Sequence, residues 1–190
     1  MIRWQLASRA RKCTQTNRPF QPEEPVWTYL FREKDPNAPH SYRREDVTAE
    51  GRKLLGAEVI NGAFSQWQSR YKPIQAEEGE PTAEQKLGPE GLFRRLVEED
   101  AAATLNTRYV LAIMLERRKT LKEVDRRETD EGPLLVYEHP KSGEVFLVLD
   151  PGLKLADIVS IQEEVAAQLA LAEAIATAET IVNTTSSSSD

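Results

Sequence analysis

The chain contains few residues that could bind a transition metal or act as a nucleophile. Its one cysteine, Cys13, and its two histidines, His40 and His139, are the whole supply of thiolate and imidazole. Tetrahedral zinc takes three or four such ligands, and no second cysteine follows Cys13 at the spacing of a zinc knuckle. We therefore predict no metal site and no other cofactor, and we expect Cys13 to be a small buried residue in a turn.

Nucleophilic catalysis is not indicated either. A Cys–His pair would need a histidine beside Cys13 in space, whereas we expect His139 to be a solvated imidazole in a hairpin turn. Ser69 and Lys72 have the Ser-x-x-Lys spacing of some acyl-enzymes, but Pro73 follows at once and the companion motifs are missing. Carboxylates occur in runs, with no isolated pair for acid–base catalysis. We favour a protein that is not an enzyme, with an unrecognised catalytic site as an alternative.

Basic residues are the remaining candidates for a binding surface. Within residues 108–128, RYVLAIMLERRKTLKEVDRRE, an apolar run gives way to a basic cluster spanning 117–127. A second basic segment, residues 1–20, carries five basic groups and no acidic one. The residues that we select as candidate binding residues are Arg118, Lys119, Lys122, Arg11 and Lys12.

Internal pairing is the competing explanation for the basic cluster 117–127. Residues 128–190 carry twelve acidic and two basic groups, so the acidic segment that follows could neutralise the cluster. Basic side chains in the last turns of a helix also offset its dipole. We favour internal pairing or simple solvation over partner binding through this face.

A small antiparallel sheet is the first element predicted to position these residues. Alternating apolar and polar residues predict a strand at IRWQLA, and β-rich runs predict two more, at VWTYLFRE and SYRRED. The connection CTQTNRPFQPEEP is rich in turn formers. A short helix near TAEGRKLLG should follow, capped by Thr48. We predict an N-terminal β-rich lobe over residues 1–75.

The middle of the chain predicts a linker followed by helices. Residues 76–88 indicate an acidic Gly/Pro-rich linker or loop, after which Pro89 should open an amphipathic helix. A stripe at spacings of four, three, four and three predicts one central buried helix that continues through the basic cluster. Its members are Val110, Met114, Arg117, Leu121 and Val124. Because Arg117 lies in this stripe, we expect it to be snorkelling or paired.

The last third predicts a β-hairpin and a long helix. The hairpin pairs 134–137 with 145–149, and an alanine-rich helix with a narrow apolar stripe follows from Leu155, its far end projecting from the body or meeting a partner. We predict a helix-hairpin-helix lobe over 89–180, packed on the first lobe, and a disordered Ser-rich tail over 181–190. The fold class is α+β: a small antiparallel N-terminal sheet, a central buried helix, a β-hairpin and a long C-terminal helix.

The composition predicts a cytoplasmic protein with no membrane partner. A single cysteine excludes an internal disulfide, and no apolar run approaches the ~20 residues that span a bilayer. The Arg-rich, acid-free start could be a mitochondrial presequence. We favour the alternative that Trp4 and Leu6 belong to an ordinary first strand.

Several segments carry a resemblance. They are CTQTNR at 13–18, RRED at 43–46, Trp67, and RYVLA running into LERRKTL across 108–121. Together they resemble a family of small uncharacterised bacterial proteins of planctomycete type, from near Trp4 to the turn at 150–151. Asn17 stands where a glycine is expected, which leaves the shape of that turn open. The resemblance implies a bacterial cytoplasmic setting and assigns no site.

Three hypotheses for function follow. The first is a non-enzymatic interaction or adaptor protein whose partner is another protein. The second is a protein that contacts nucleic acid through the two basic regions, with Trp4, Tyr29 or Trp67 stacking on single-stranded bases. Because the net charge of the chain is −6, nucleic acid is the less favoured partner. The third is an enzyme with an unrecognised site.

Overall fold

The computed structural model of this chain describes residues 5–6, 9–33, 35, 41–73, 88–154 and 156–170. The fold is α+β, as predicted, with antiparallel sheets of three and four strands and helices packed on them. No helix in the described ranges is long and apolar enough to cross a membrane. Trp4, His40, all but the last residue of the predicted linker, and the predicted tail lie outside these ranges.

The first sheet and its helices come from residues 25–70, and within the described ranges the two-residue strand β1 precedes them. The elements are β1 (Gln5–Leu6), β2 (Pro25–Arg32), β3 (Tyr42–Val47), α1 (Ala49–Leu55), α2 (Ala57–Asn61) and β4 (Ser65–Arg70). The sheet has the order β3-β2-β4 with antiparallel neighbours. An N-terminal antiparallel sheet was predicted, but its predicted first strand, β1, pairs with β7 of the other sheet, and β4 was not predicted. Thr48 caps α1 as predicted, since its side chain accepts a hydrogen bond of 3.1 Å from the backbone N–H of Gly51.

Strand β2 is covered on both faces, as its sequence predicted. Tyr29 is fully buried in a cluster that Leu55 and Ile60, from α1 and α2, complete. Leu30, on the opposite face, is fully buried in the larger cluster shared with the second half of the chain. Leu30 therefore joins the two halves of the molecule, whereas Val26 packs in the same cluster as Tyr29.

Cys13 is buried in a turn, as predicted, with 1% of its surface exposed. It contacts the first turn of α1 at Gly51, where any Cβ would overlap its Sγ. Burial raises the pKa of the thiol, but hydrogen bonds from the Thr16 side chain and from nearby backbone groups outweigh this and leave the pKa at about 7. Asn17 has a φ of 56°, a left-handed conformation that asparagine tolerates, so the turn forms without the expected glycine.

Three strands of the second sheet come from the C-terminal half of the chain, and β1 is the fourth. The elements of this half up to residue 149 are α3 (Pro89–Glu99), a 3-10 turn (Ala102–Thr104), α4 (Leu105–Arg117), β5 (Lys122–Thr129), β6 (Gly132–Glu138) and β7 (Val145–Leu149). The strand order is β1-β7-β6-β5, with all neighbours antiparallel, and β6 and β7 are the predicted hairpin. Pro89 is the first residue of α3, and the helix buries the four apolar side chains that its pattern indicated.

The predicted continuous helix through the basic cluster is wrong beyond Arg117. Helix α4 ends in a Schellman turn, in which the N–H of Lys119 donates to the carbonyl of Glu116 (2.8 Å) and that of Thr120 to the carbonyl of Leu115 (2.9 Å). Residues 122–129 then form β5. Arg117 is exposed and does not lie in a buried stripe.

Pairing with β6 explains why residues 122–129 form a strand. A tight turn connects Thr129 to Gly132, whose φ is +120°, and the two strands pair from this turn to Lys122 opposite Glu138. Pairing along the whole of β5 gives most of its inward backbone groups a hydrogen-bonding partner on β6. The helical spacing that predicted otherwise was carried by only five residues, which is weak evidence for a helix. The outcome depended on β6, which the local pattern does not contain.

Both sheets contribute to one core. Tyr42 and Trp67 of the first sheet belong to the same buried cluster as Phe93 of α3 and Leu111 of α4. A final helix, α5, occupies 156–170, and its Val165 is fully buried against this cluster, as the predicted apolar stripe requires. The rest of the predicted alanine-rich helix lies outside the described residues.

Candidate functional site

The basic turn, which we define as Arg117, Arg118, Lys119 and Lys122, connects α4 to β5. All four side chains are exposed, and none forms an ion pair with a residue in the described ranges. The rest of the cluster behaves differently, because Arg126 pairs with Glu123 and Arg127 with Asp125, both within β5. Of the two explanations that we favoured, pairing with the following acidic segment is therefore not found for the basic turn in this part of the chain, and its side chains are solvated.

Lys119 adopts a backbone conformation that glycine usually occupies. Its φ is +60°, at the position after the helix cap where a Schellman turn requires the left-handed region. A residue with a Cβ costs about 1 kcal/mol there relative to glycine. A lysine therefore occupies this exposed position at some cost in stability.

Most arginines outside the basic turn are held by partners, which makes the turn distinctive. Four ion pairs have largely buried guanidinium groups: Arg9 with Glu138, Arg44 with Asp46, Arg94 with Glu144, and Arg108 with Asp100. Their charges are compensated inside the fold and add little to the potential outside it. The uncompensated positive charge of α4 and β5 is therefore concentrated at the basic turn.

Arg11 and Lys12, the other two candidate binding residues, are exposed on the turn-rich segment after β1. The segment starts near the sheet end that carries Lys122, because Glu138 lies opposite Lys122 and also binds Arg9. No contact within the described ranges connects Arg11 or Lys12 to the basic turn. A single continuous basic face remains a prediction.

The aromatic residues proposed for base stacking are unavailable in the part of the chain that the structure describes. Tyr29 has 0% and Trp67 8% of its surface exposed, and both pack inside the core clusters. A base cannot stack on a ring that has no free face. This correction weakens the nucleic-acid hypothesis in the form that the sequence suggested.

His139 is buried, contrary to the expectation of a solvated imidazole. It is 7% exposed, its Nδ1 accepts a hydrogen bond of 3.1 Å from the backbone N–H of Ser142, and its Nε2 lies 3.6 Å from Glu90. The hydroxyl of Ser142 lies 2.8 Å from the same Nδ1 and donates to Glu144 at 2.7 Å. Since Nδ1 already accepts from a backbone N–H, these contacts fix the hairpin turn and do not prepare Ser142 for nucleophilic attack.

Arg94 connects this hairpin to α3. It forms ion pairs with Glu144 of the hairpin at 2.7 Å and with Glu90 of its own helix at 2.9 Å. Burial raises the pKa of Glu144, but hydrogen bonds from Arg94 and Ser142 and the charge of Arg94 lower it more, so the pKa falls below its ordinary value of 4.5. The ionised carboxylate therefore stabilises the fold.

Replacing Glu144 by Gln should reduce stability most at neutral pH. Because the folded-state pKa is depressed, the contribution of Glu144 is complete above about pH 4.5 and is lost as the pH falls through the folded-state value. We expect Glu144→Gln to lower the free energy of unfolding by about 1–2 kcal/mol at pH 7. Urea unfolding at pH 7, 5, 4 and 3 should show this difference shrinking only in the acidic range.

Glu99→Gln is the matched control for that series. Glu99 forms an ion pair with Arg95 on the exposed side of α3, the helix that carries Arg94, at 3.7 Å. An exposed pair of this kind contributes roughly 0–1 kcal/mol. A Glu144→Gln difference that stayed constant from pH 7 to pH 3 would contradict the assigned role of the carboxylate.

A second buried polar network joins the two sheets. Arg9 pairs with Glu138 of β6, and its NH1 donates to the carbonyl of Arg70 at 3.3 Å. Asp46 of β3 accepts from the backbone N–H of Ala10 (2.9 Å) and from the hydroxyl of Thr28 (2.6 Å). The network fixes the start of the segment that carries Arg11 and Lys12.

Arg44 and Gly143 complete this junction. The Nε of Arg44 donates to Asp46 at 2.9 Å, and its NH1 donates to the carbonyl of Gly143 at 2.6 Å. Gly143 has a φ of +69°, and a Cβ there would lie 2.6 Å from the Cβ of Arg9. Only glycine suits both the conformation and the close approach of Arg9. Sequence reasoning missed this junction because its members are far apart in the chain, Arg9 and Glu138 for example by 129 residues.

Metal binding finds no support among the described residues, where no group of three or more His, Cys, Asp or Glu side chains is arranged to hold an ion. No family model, no curated protein and no solved structure matches the chain.

Proposed function

We propose that this chain is a non-enzymatic interaction protein of the bacterial cytoplasm, whose basic turn binds an acidic segment of another protein. The observation that carries the proposal is the exposure of Arg117, Arg118, Lys119 and Lys122 without an ion pair in the described ranges. A bacterial setting follows from the resemblance to proteins of planctomycete type. A single cysteine and the segregated charge are in keeping with a cytoplasmic binding protein.

Rigidity of the basic turn supports a binding role. Leu121, within the turn, is 2% exposed and packs in the main core, while the Schellman hydrogen bonds hold Lys119 and Thr120. A preorganised surface loses less conformational entropy on binding than a flexible one. Cations held in this way can meet carboxylates at low entropic cost, and complementary charge accelerates association.

An acidic protein is a better partner than nucleic acid. The burial of Tyr29 and Trp67 removes two of the proposed stacking surfaces, which single-stranded nucleic acid would use and an acidic peptide would not need. A short acidic peptide needs only a local positive surface. Nucleic acid remains the second hypothesis because lysine and arginine also bind phosphate.

Fluorescence anisotropy with defined probes tests the proposal. The probes are a labelled oligoglutamate peptide and a single-stranded oligonucleotide of equal charge, each titrated at low and physiological salt. We expect the peptide to bind more tightly, with an affinity that falls as salt rises. Replacing Arg118 and Lys119 together by Glu should weaken peptide binding by about tenfold or more, since it reverses two charges at the contact.

Two control variants separate local binding from net charge. The double variant Lys53→Glu/Lys72→Glu changes the net charge by the same amount as the Arg118/Lys119 variant, but at exposed positions in the first half of the chain. It should keep most of the affinity for the peptide. Lys119→Gly removes the left-handed lysine, so it should raise the free energy of unfolding by up to about 1 kcal/mol while weakening binding. Equal losses from both double variants would reject the basic turn as the site. Tighter binding of the oligonucleotide would favour the second hypothesis.

A further inference from the structure

A cleft at one end of the first sheet has the dimensions of a small-molecule site. It measures about 510 Å³, within the roughly 300–1,000 Å³ usual for ligand pockets. Its lining residues come from the ends of β2 and β3 and from the connection between α2 and β4: Phe31, Arg32, Glu33, Arg43, Gly62 and Phe64. Gly62 contributes no side chain, which leaves that wall open.

Two arginine–phenylalanine pairs form the walls of this cleft. The guanidinium carbon of Arg43 lies 4.8 Å from the centroid of the Phe31 ring, and that of Arg32 lies 5.0 Å from the centroid of Phe64. Arg43 is directly opposite Phe31 in the β2–β3 register, so the first pair is a cross-strand pair. A guanidinium stacked on a ring keeps its N–H donors at its edge, where they can bind a phosphate or carboxylate in bidentate geometry.

A buried tyrosine contacts each of the two phenylalanine rings. Phe64 contacts Tyr42 with a centroid separation of 4.9 Å, and Phe31 stacks on Tyr29 at 6.4 Å. Tyr42 is 8% and Tyr29 0% exposed. The rings are thus fixed platforms that hold the two guanidinium groups in place.

The charge of Arg32 is the main electrostatic feature of the cleft. Arg43 has Glu45 as an ion-pair partner, whereas Arg32 is exposed and forms no ion pair within the described ranges. A ligand that brings one anionic group would supply the missing partner. A planar ring on the same ligand could stack on a guanidinium plane, as bases do on arginine in RNA complexes.

We propose that this cleft binds a small ligand in which a planar ring carries a phosphate, of the size of a nucleoside monophosphate. Arg32 donates to the phosphate, and the stack of Arg43 on Phe31 presents a flat surface to the ring. Glu33 adds one carboxylate to the wall, which favours a ligand with few negative charges over a polyphosphate. The site is separate from the basic turn, and its ligand does not depend on the function proposed for that turn.

Isothermal titration calorimetry on the full chain tests the cleft. The probes are adenosine monophosphate, adenosine, inorganic phosphate and adenosine triphosphate. We expect the monophosphate to bind at least tenfold more tightly than adenosine or inorganic phosphate, because only it engages both the guanidinium donors and the stacking surface. Adenosine triphosphate should bind more weakly than the monophosphate.

Variants locate the binding. Arg32→Gln should weaken binding of the monophosphate by about tenfold, and Phe64→Leu should weaken it through loss of the platform. Arg52→Gln is the matched control, since Arg52 stacks on Trp27 at 5.5 Å outside the cleft lining and should leave the affinity unchanged. Circular dichroism and urea unfolding of each variant report whether the fold is intact.

Several outcomes would overturn the proposal. Equal affinity for inorganic phosphate and the monophosphate would reduce the cleft to a simple anion site. An equal effect of Arg32→Gln and Arg52→Gln, with both proteins folded, would place the ligand elsewhere. No heat of binding with the monophosphate at millimolar concentration would reject a ligand of this class.

Discussion

Replacing Arg9 by Met is expected to lower the free energy of unfolding by about 3–5 kcal/mol, because it leaves the Glu138 carboxylate buried without its cation. The side chains of Arg9 and Glu138 are 5% and 4% exposed, so water cannot compensate for the lost partner. Glu138→Leu should lower the free energy of unfolding by a similar amount, because it leaves the Arg9 guanidinium buried without its anion. Urea unfolding at pH 7, extrapolated to zero denaturant, measures both.

The double variant Arg9→Met/Glu138→Leu is the decisive comparison. Replacement of a whole buried ion pair by apolar side chains of similar size is often close to neutral, so the double variant should recover much of the stability lost in each single variant. Glu99→Gln, which breaks an exposed pair, should change stability by less than about 1 kcal/mol. Additive losses in the double variant would show that the two side chains are not energetically coupled.

The second large effect is expected at Asp46, where we expect Asp46→Asn to lower the free energy of unfolding by about 3 kcal/mol. The carboxylate is 1% exposed and accepts from Ala10, Thr28 and Arg44. An amide nitrogen in place of one carboxylate oxygen would meet a donor, and Arg44 would lose its buried counter-charge. Urea unfolding again gives the measurement.

Thr28→Val tests how specific the Asp46 effect is. The hydroxyl of Thr28 donates one of the hydrogen bonds to Asp46, at 2.6 Å, and valine has nearly the same shape. Loss of this bond alone should cost about 1 kcal/mol, since the remaining donors still satisfy the carboxylate. If Thr28→Val were as destabilising as Asp46→Asn, the charge of Asp46 would not be the important property.

These two replacements also bear on the basic segment after β1. Arg9 and Ala10 anchor the chain immediately before Arg11 and Lys12, through Glu138 and Asp46. Loss of either anchor should loosen the start of this segment, whereas Cys13 stays buried and the N–H of Thr14 still donates to the carbonyl of Asp46 at 2.9 Å. Amide hydrogen exchange should therefore be accelerated more at Ala10 than at Thr14 in both variants.

Local patterns predicted most of the secondary structure. The alternation and β-branched content of β2, the Pro-Ser-Gly turn between β6 and β7, and the cap at Thr48 each depend on neighbours in sequence. The apolar positions of α3 were also correct, since a helix buries residues three and four apart. The candidate residues of the basic turn were identifiable because charge is visible in the sequence.

The end of α4 shows where local patterns fail. The spacing of Val110, Met114, Arg117, Leu121 and Val124 suited a helix, yet the chain leaves the helix at Arg117. A left-handed lysine is a poor sequence signal for a helix end, because glycine or asparagine usually marks that position. The strand that follows exists because β6 offers it a hydrogen-bonding edge.

The sequence by itself determined the composition of the elements, the α+β class and the presence of an exposed basic cluster. Only the tertiary structure decided which charges are compensated: Arg9, Arg44 and Arg94 meet carboxylates or carbonyls from other elements, whereas the basic turn meets none in the described ranges. The burial of His139 and the presence of Phe31 and Phe64 in one cleft are likewise visible only in the tertiary structure. The physical reason is that pairing and burial depend on distances between segments far apart in the chain, which no local periodicity encodes.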